Sequence, residues 1–135
     1  MATMHVELVS IERALWSGEA TAVNARTVDG DIGVLPGHEL MIAALAPGYV
    51  VRINRDGDSP LRVAVHGGFL SVREDAVSVL AEVAEFADEI DVARARDALQ
   101  RAEQQLSGSP DDEVARSARD RALARLRAAE QDVSV

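Results

Sequence analysis

The sequence predicts an all-β sandwich over residues 1–87, followed by an antiparallel two-helix hairpin over residues 88–135. Three observations predict it. Apolar and polar residues alternate through the first part. Turn dipeptides interrupt the alternation at short intervals. Near residue 88 the apolar period then changes from that of a strand to that of a helix.

Met4, Val6 and Leu8 alternate with His5, Glu7 and Val9. Tyr49, Val51 and Ile53 form a second such row, and Leu61, Val63 and Val65 a third, while Val77 and Val79 flank Ser78. The expected turns are Asp29-Gly30, Pro36-Gly37, Pro47-Gly48, Asp56-Gly57 and Gly67-Gly68. Short strands with regular turns leave no room for crossover helices, so the sheets are expected to be mainly antiparallel. From Asp88 onward, Val92, Ala95, Leu99, Ala102 and Leu106 follow a heptad-like seam. Ser107-Gly108-Ser109-Pro110 breaks it. For the next helix Ser109 is the expected cap and Pro110 the first helical residue, with Asp111, Asp112 and Glu113 at the positive end of the dipole. Its inner stripe is Ala115, Ala118, Ala122, Leu126 and Ala129.

Alanine seams bury little area, and burial returns roughly 25 cal/mol per Å². Two short helices are also marginal alone in water. The hairpin is therefore expected to be weakly held and movable by a ligand or partner with a modest preference for one position.

The 135 residues suffice for one modest domain and an appendage, and 47% of them are apolar, which excludes a disordered tail. The absence of cysteine excludes disulfides, thiolate metal sites and a thiol nucleophile. Met1 to Ser10 does not read as a signal peptide, and no apolar run reaches the ~18 residues of a membrane span. The net charge of −9 argues against nucleic-acid binding. All 14 basic residues are arginine, a composition that codon bias in a GC-rich genome explains. Residues 88–135 are less acidic than residues 1–87, and the last helix is locally basic, with Arg116, Arg119, Arg121, Arg125 and Arg127.

Three ordered stretches resemble one family. They are Gly30-Asp31-Ile32-Gly33-Val34-Leu35-Pro36-Gly37-His38, then Val65-His66-Gly67-Gly68-Phe69-Leu70, then Leu80-Ala81-Glu82-Val83-Ala84-Glu85 running into Ile90-Asp91-Val92-Ala93-Arg94-Ala95. They are similar to the corresponding segments of the epsilon subunits of bacterial F-type ATP synthases. The resemblance implies a sandwich of about ten strands that binds the gamma subunit and the ring of c subunits, with Asp31 and His38 at the rotor interface. It implies a non-catalytic stalk subunit of an enzyme that makes ATP from a proton gradient. The subunit would sit peripherally on the cytoplasmic face of the cell membrane, without inserting into it. It further implies a hairpin that folds down on the sandwich or extends to restrain ATP hydrolysis. When extended, Arg116, Arg119, Arg121, Arg125 and Arg127 would meet an acidic segment of the catalytic beta subunits, with alpha alongside. One departure is Glu39-Leu40-Met41, where many members carry a small residue and then proline after the Pro-Gly-His turn.

Some members bind ATP in the folded-down hairpin through an apolar-Asp-x-x-Arg-Ala motif, which Ile90, Asp91, Arg94 and Ala95 match. Arg101 lies on the helix face of Arg94, and Arg121 shares a face with Arg125. A bend near Ser109 brings Arg94 opposite Arg125. Four arginines facing one groove repel each other, and an anion relieves the repulsion. Glu85 and Asp91 would meet the ribose or base. The ligand set is thus Glu85, Ile90, Asp91, Arg94, Ala95, Arg101, Arg121 and Arg125, with ATP as a regulatory ligand, with or without magnesium, and no required cofactor. No phosphate-cradling glycine loop occurs, so binding without hydrolysis is expected. The plain alternatives are that Asp91 is a helix cap and that the arginines are solvated or paired.

His5, His38 and His66 have no metal-ligand spacing. Trp16 reads as core or interface, and Phe69 as core. A free-standing enzyme or ligand-binding sandwich is the rival reading, and it lacks any catalytic constellation. A third version is an epsilon subunit whose arm no longer senses ATP.

Overall fold

The computed structural model describes residues 2–129. The strands are β1 (Met4–Ser10), β2 (Ala14–Ala20), β3 (Ala22–Thr27), β4 (Gly30–Val34), β5 (Met41–Ala44), β6 (Val50–Asn54), β7 (Leu61–Arg73) and β8 (Ala76–Phe86). A single 3-10 turn, Ala87–Glu89, leads into α1 (Val92–Gly108) and α2 (Glu113–Ala129).

Eight strands are described where about ten were expected. The difference lies in β7 and β8, which each serve two layers. The first part of β7 pairs with β6 and its last part with β5, while β8 accompanies it throughout. One layer runs β4-β3-β6-β7-β8 and the other β5-β7-β8-β1-β2. Every pairing is antiparallel except β1 with β8.

Gly67-Gly68 is not a turn. It is the point where β7 crosses from one layer to the other. Gly67 has φ of +72°, and the ladder to β8 skips it between His66↔Val83 and Gly68↔Ala81. A Cβ on Gly68 would lie 2.2 Å from the Leu80 carbonyl oxygen, so only glycine fits this approach.

The alternation places Val6, Leu8, Val23, Val34, Ile53, Val63, Leu70, Val77 and Val79 between the layers with no more than 1% of their surface exposed. Each such side chain contributes roughly 1.5–3 kcal/mol of burial. Phe69, expected in the core, is 52% exposed. It stands between two inward residues, Gly68 having no side chain and Leu70 filling the core, so the strand period turns Phe69 outward.

The hairpin lies folded on the sandwich. Helix α2 packs on β7 and β6, and α1 packs on α2. The contact is small: Ala124 and Ala128 meet Ala64 of β7, with Val50, Ala87 and Ile90 at its rim. Val63, Ala64 and Val65 are all buried because β7 has the core on one face and the arm on the other. Within α1 only Ala95 and Ala102 are buried. Ser109 ends α1 instead of capping α2, its N–H donating to the Gln105 carbonyl. Asp112 takes the capping role: its carboxylate accepts the Ala115 N–H at 3.1 Å and the Gln105 side-chain amide at 3.2 Å. These two bonds hold its carboxyl below the usual range. A carboxylate beside the first turn outcompetes a serine three residues earlier because it accepts from the helix directly.

Candidate functional site

A cavity of about 350 Å³ opens where the hairpin meets the end of β8. Its walls are Glu85 from β8, Glu89 from the 3-10 turn, Asp91, Arg94, Ala95, Ala98 and Arg101 from the start of α1 and its cap, and Arg125 from α2. That size lies within the ~300–1,000 Å³ of small-molecule clefts. The wall draws on four elements, two of them the hairpin helices, so the cavity exists only while the hairpin is down.

Six of the eight expected ligand residues line it: Glu85, Asp91, Arg94, Ala95, Arg101 and Arg125. Ile90 instead packs on the Ala64, Ala124 and Ala128 contact and anchors the chain entering α1. Arg121 points elsewhere. Its guanidinium donates to Ser117 Oγ at 2.6 Å and lines a second cavity, of about 620 Å³, with His66, Glu82, Glu113, Arg116 and Asp120. The groove therefore holds three arginines, not four. Three carboxylates, Glu85, Glu89 and Asp91, face them. The expected arginine repulsion is already balanced by the chain's own acids.

Asp91 is the cap of α1, accepting the Arg94 N–H at 3.1 Å. The cap uses Oδ1, and the residue remains in the cavity wall. Arg125 Nε donates to Glu85 Oε1 at 2.8 Å, tying α2 to β8. The same oxygen lies 2.9 Å from His66 Nε2. Burial raises the Glu85 carboxyl, but the bonds from Arg125 and His66 outweigh it and hold the group below its ordinary value. Burial pulls the His66 imidazole down, against the opposing pull of Glu85. Sequence reasoning did not place His66 here. The signal was present in the hairpin register: Ala64 pairs with Glu85 and His66 with Val83, so His66 and Glu85 are diagonal neighbours on one face.

A second tie lies farther along α2. Arg127 is 9% exposed, sits 4.5 Å from the Tyr49 ring centroid and donates to the Gly48 carbonyl. Arg62 Nη2 donates to the Arg127 carbonyl at 3.2 Å. Gly48 takes φ of +87°, which offers its carbonyl to the arm. All five arginines of the last helix are engaged in this position. Arg116 bonds the Pro110 carbonyl at 2.9 Å, and Arg119 meets Asp120 at 3.4 Å. Asp31, in β4, pairs with Arg26 at 3.2 Å and remains 79% exposed, and Arg26 itself lies 5.3 Å from the centroid of the Tyr49 ring that Arg127 covers. His38 follows the Pro36-Gly37 turn, Nδ1 lying 2.8 Å from the Glu39 carbonyl.

The sequence model for the β-sandwich domain of the ATP synthase delta/epsilon chain matches residues 3–87, and that for its long α-helix domain matches residues 88–130. The chain belongs to the ATP synthase delta/epsilon family. A relative from Thermobifida fusca, an ATP synthase epsilon chain, is 52% identical over 131 residues, covering 96% of this chain and 93% of the relative. Another from Streptomyces griseus is 54% identical over 99 residues, 73% of this chain and 79% of the relative. Among solved structures, a chain of the Euglena gracilis mitochondrial ATP synthase (OSCP/F1/c-ring, rotational state 1) superposes with a TM-score of 0.78 at 28% identity, covering 97% of this chain and 81% of that one. A chain of the Tetrahymena thermophila central stalk and c-ring shares the fold, with a TM-score of 0.55 at 14% identity and 98% coverage of both. As an epsilon-type chain this protein is a subunit of ATP synthase and not itself a catalyst. Among the described residues no helix is long and apolar enough to cross a membrane.

Proposed function

We propose that this subunit joins the gamma subunit to the c ring in the central stalk, on the cytoplasmic face of the membrane, and that its hairpin regulates ATP hydrolysis by moving between two positions. ATP, with or without magnesium, holds the hairpin in the docked position. Without ATP the arm extends, and Arg116, Arg119, Arg121, Arg125 and Arg127 exchange their internal partners for an acidic surface on the catalytic beta and alpha subunits.

The cavity carries this reading. A ligand that touches Glu85, Asp91, Arg94, Arg101 and Arg125 at once bridges β8, α1 and α2. Its binding energy therefore favours the docked arm alone. A millimolar dissociation constant, about −4 kcal/mol, suffices for a sensor of cellular ATP.

The rotor contacts have support of a different kind. Ile42, Phe69 and Leu80 are 75%, 52% and 45% exposed. Phe69 pairs with Leu80 across β7 and β8 and with Ala44 of β5. A row of exposed apolar residues across one layer suits a permanent protein partner, here gamma. In this reading Asp31, in β4, and His38, in the β4–β5 connection, are the contacts to the c ring.

Calorimetric titration of the whole chain with ATP tests the ligand. Heat is expected in the wild type and its loss in the Arg94→Ala, Arg125→Ala double variant. No heat and no thermal shift at several millimolar ATP would sink the site. The outcome would then favour the plainer reading, in which Asp91 is only a cap and Glu85–Arg125 only a tie.

A further inference from the structure

His66 is mostly buried, touches the ligand residue Glu85, and has no part in the reading above. Its side chain is 9% exposed, against 29% for Glu85 and 31% for Arg125. One oxygen, Glu85 Oε1, takes both neighbours. The trio forms the wall between the two cavities: Glu85 and Arg125 line the smaller, and His66 the larger.

We propose that His66 is a positioning residue of the nucleotide site, which retains Glu85 when a bound phosphate draws Arg125 away and takes up a proton in doing so. This rests on the nucleotide reading. Guanidinium pairs with phosphate through two bonds, so an entering triphosphate competes directly with the single Arg125–Glu85 bond. Success leaves Glu85 a half-buried carboxylate without its cation, which is costly. His66 stands at bonding distance already, and a proton makes it the replacement cation. The carboxylate stays aimed into the cavity, available to the base or ribose, and is not repelled by the phosphates.

The surroundings set the sign. Facing His66 are Glu85 and Glu82 of β8, and Arg125, Arg121, Arg116, Asp120 and Glu113 of α2. In this structure burial comes first, and Arg125 and Arg121 add to it, in disfavouring the proton on the imidazole, while Glu85 opposes them. A phosphate that engages Arg125 removes one of the influences against the proton and adds negative charge in its favour. The ligand-bound imidazole therefore holds its proton to higher pH than the empty one. By linkage ATP binding takes up a proton, and affinity rises as pH falls through the raised value until it passes the lowered one.

Nuclear magnetic resonance of the three histidine rings in the whole chain tests this, with pH stepped over roughly 5 to 8, where imidazole titrates. The His66 midpoint should rise on saturation with ATP. It should also rise without ATP in Arg125→Gln, which removes the competing cation. His5 and His38 should not respond to ATP. Because ATP's own terminal phosphate titrates nearby, the binding arm compares wild type with His66→Gln, which keeps a donor toward Glu85. From pH 8 to 6 the wild type should gain about threefold to tenfold more affinity than the variant. An ATP-induced shift at Arg94 and Arg101 with a stationary His66 midpoint, or equal pH profiles in the two proteins, overturns the proton link and leaves the nucleotide site standing. No response to ATP anywhere overturns the nucleotide site and this proposal with it.

Discussion

The sandwich and the hairpin are held by different physics. Between the sandwich layers lie branched side chains such as Leu8, Ile53, Val63 and Leu70, each exposing no measurable surface. Between the hairpin and the sandwich lie Ala124 and Ala128 of α2 and Ala64 of β7, each of which buries one methyl group. The hairpin makes up the shortfall with polar ties, Arg125 to Glu85 and Arg127 to Gly48 and Tyr49. Polar ties are directional and give modest net stability, because each replaces bonds to water. Arg127 Nε is also buried without a partner, which lowers the net gain further. A unit built this way can separate from its support without the support unfolding. A competing anion, proton or acidic protein surface can break the ties one by one, which no such agent can do to a valine core.

The largest expected effect tests the sandwich side. Ile53→Ala removes a fully buried side chain and should cost about 2–5 kcal/mol in urea unfolding. Arg127→Ala should weaken arm docking by about 1–2 kcal/mol and speed amide exchange in α2, leaving β1, β7 and β8 protected. Equal loss of protection in strands and helices would break the distinction between the two regions. Next comes the cap of α1. Asp91→Ala should cost the helix about 1 kcal/mol, while Asp91→Asn keeps the cap. If Asn also retains ATP affinity, the carboxylate has no role beyond capping. The smallest effect is in pH. The folded values of His66 and Glu85 both lie below their ordinary ones, so the docked arm binds fewer protons than the released arm. Docking should weaken as pH falls below about 6.5, first through His66, and again below about 4.5 through Glu85. Distance measurements between labels on α2 and β6 follow this, and saturating ATP should flatten the first step.

Much of this was legible in the sequence because it is local. Alternation in Met4–Leu8 and Leu61–Val65 marks strands, and the 3,4 spacing from Val92 to Leu106 marks a helix. Asp91 followed three residues later by Arg94 fixes both the cap and the cavity wall, since one helical turn joins them. Other positions were misjudged where distant residues compete. Ser109 is a good cap by type, yet Asp112 lies closer to the helix and carries charge. Gly67-Gly68 has the composition of a turn, yet β8 runs past it and keeps it in a strand. Arg121 has the spacing of a cavity residue, yet Ser117 one turn back captures it.

By itself, the sequence determined the two-part plan, the family, and the set of charged residues around the hairpin's root. Backbone periods and turn chemistry act over a few residues and need no partner to be read. The tertiary structure decided which of those charges meet. Glu85 could have faced any cation on the arm, and only the docking of α2 on Ala64 chose Arg125. Only the register of β7 on β8 then set His66 against the same oxygen. Such pairings depend on where separate elements come to rest, and that is set by packing summed over the whole chain.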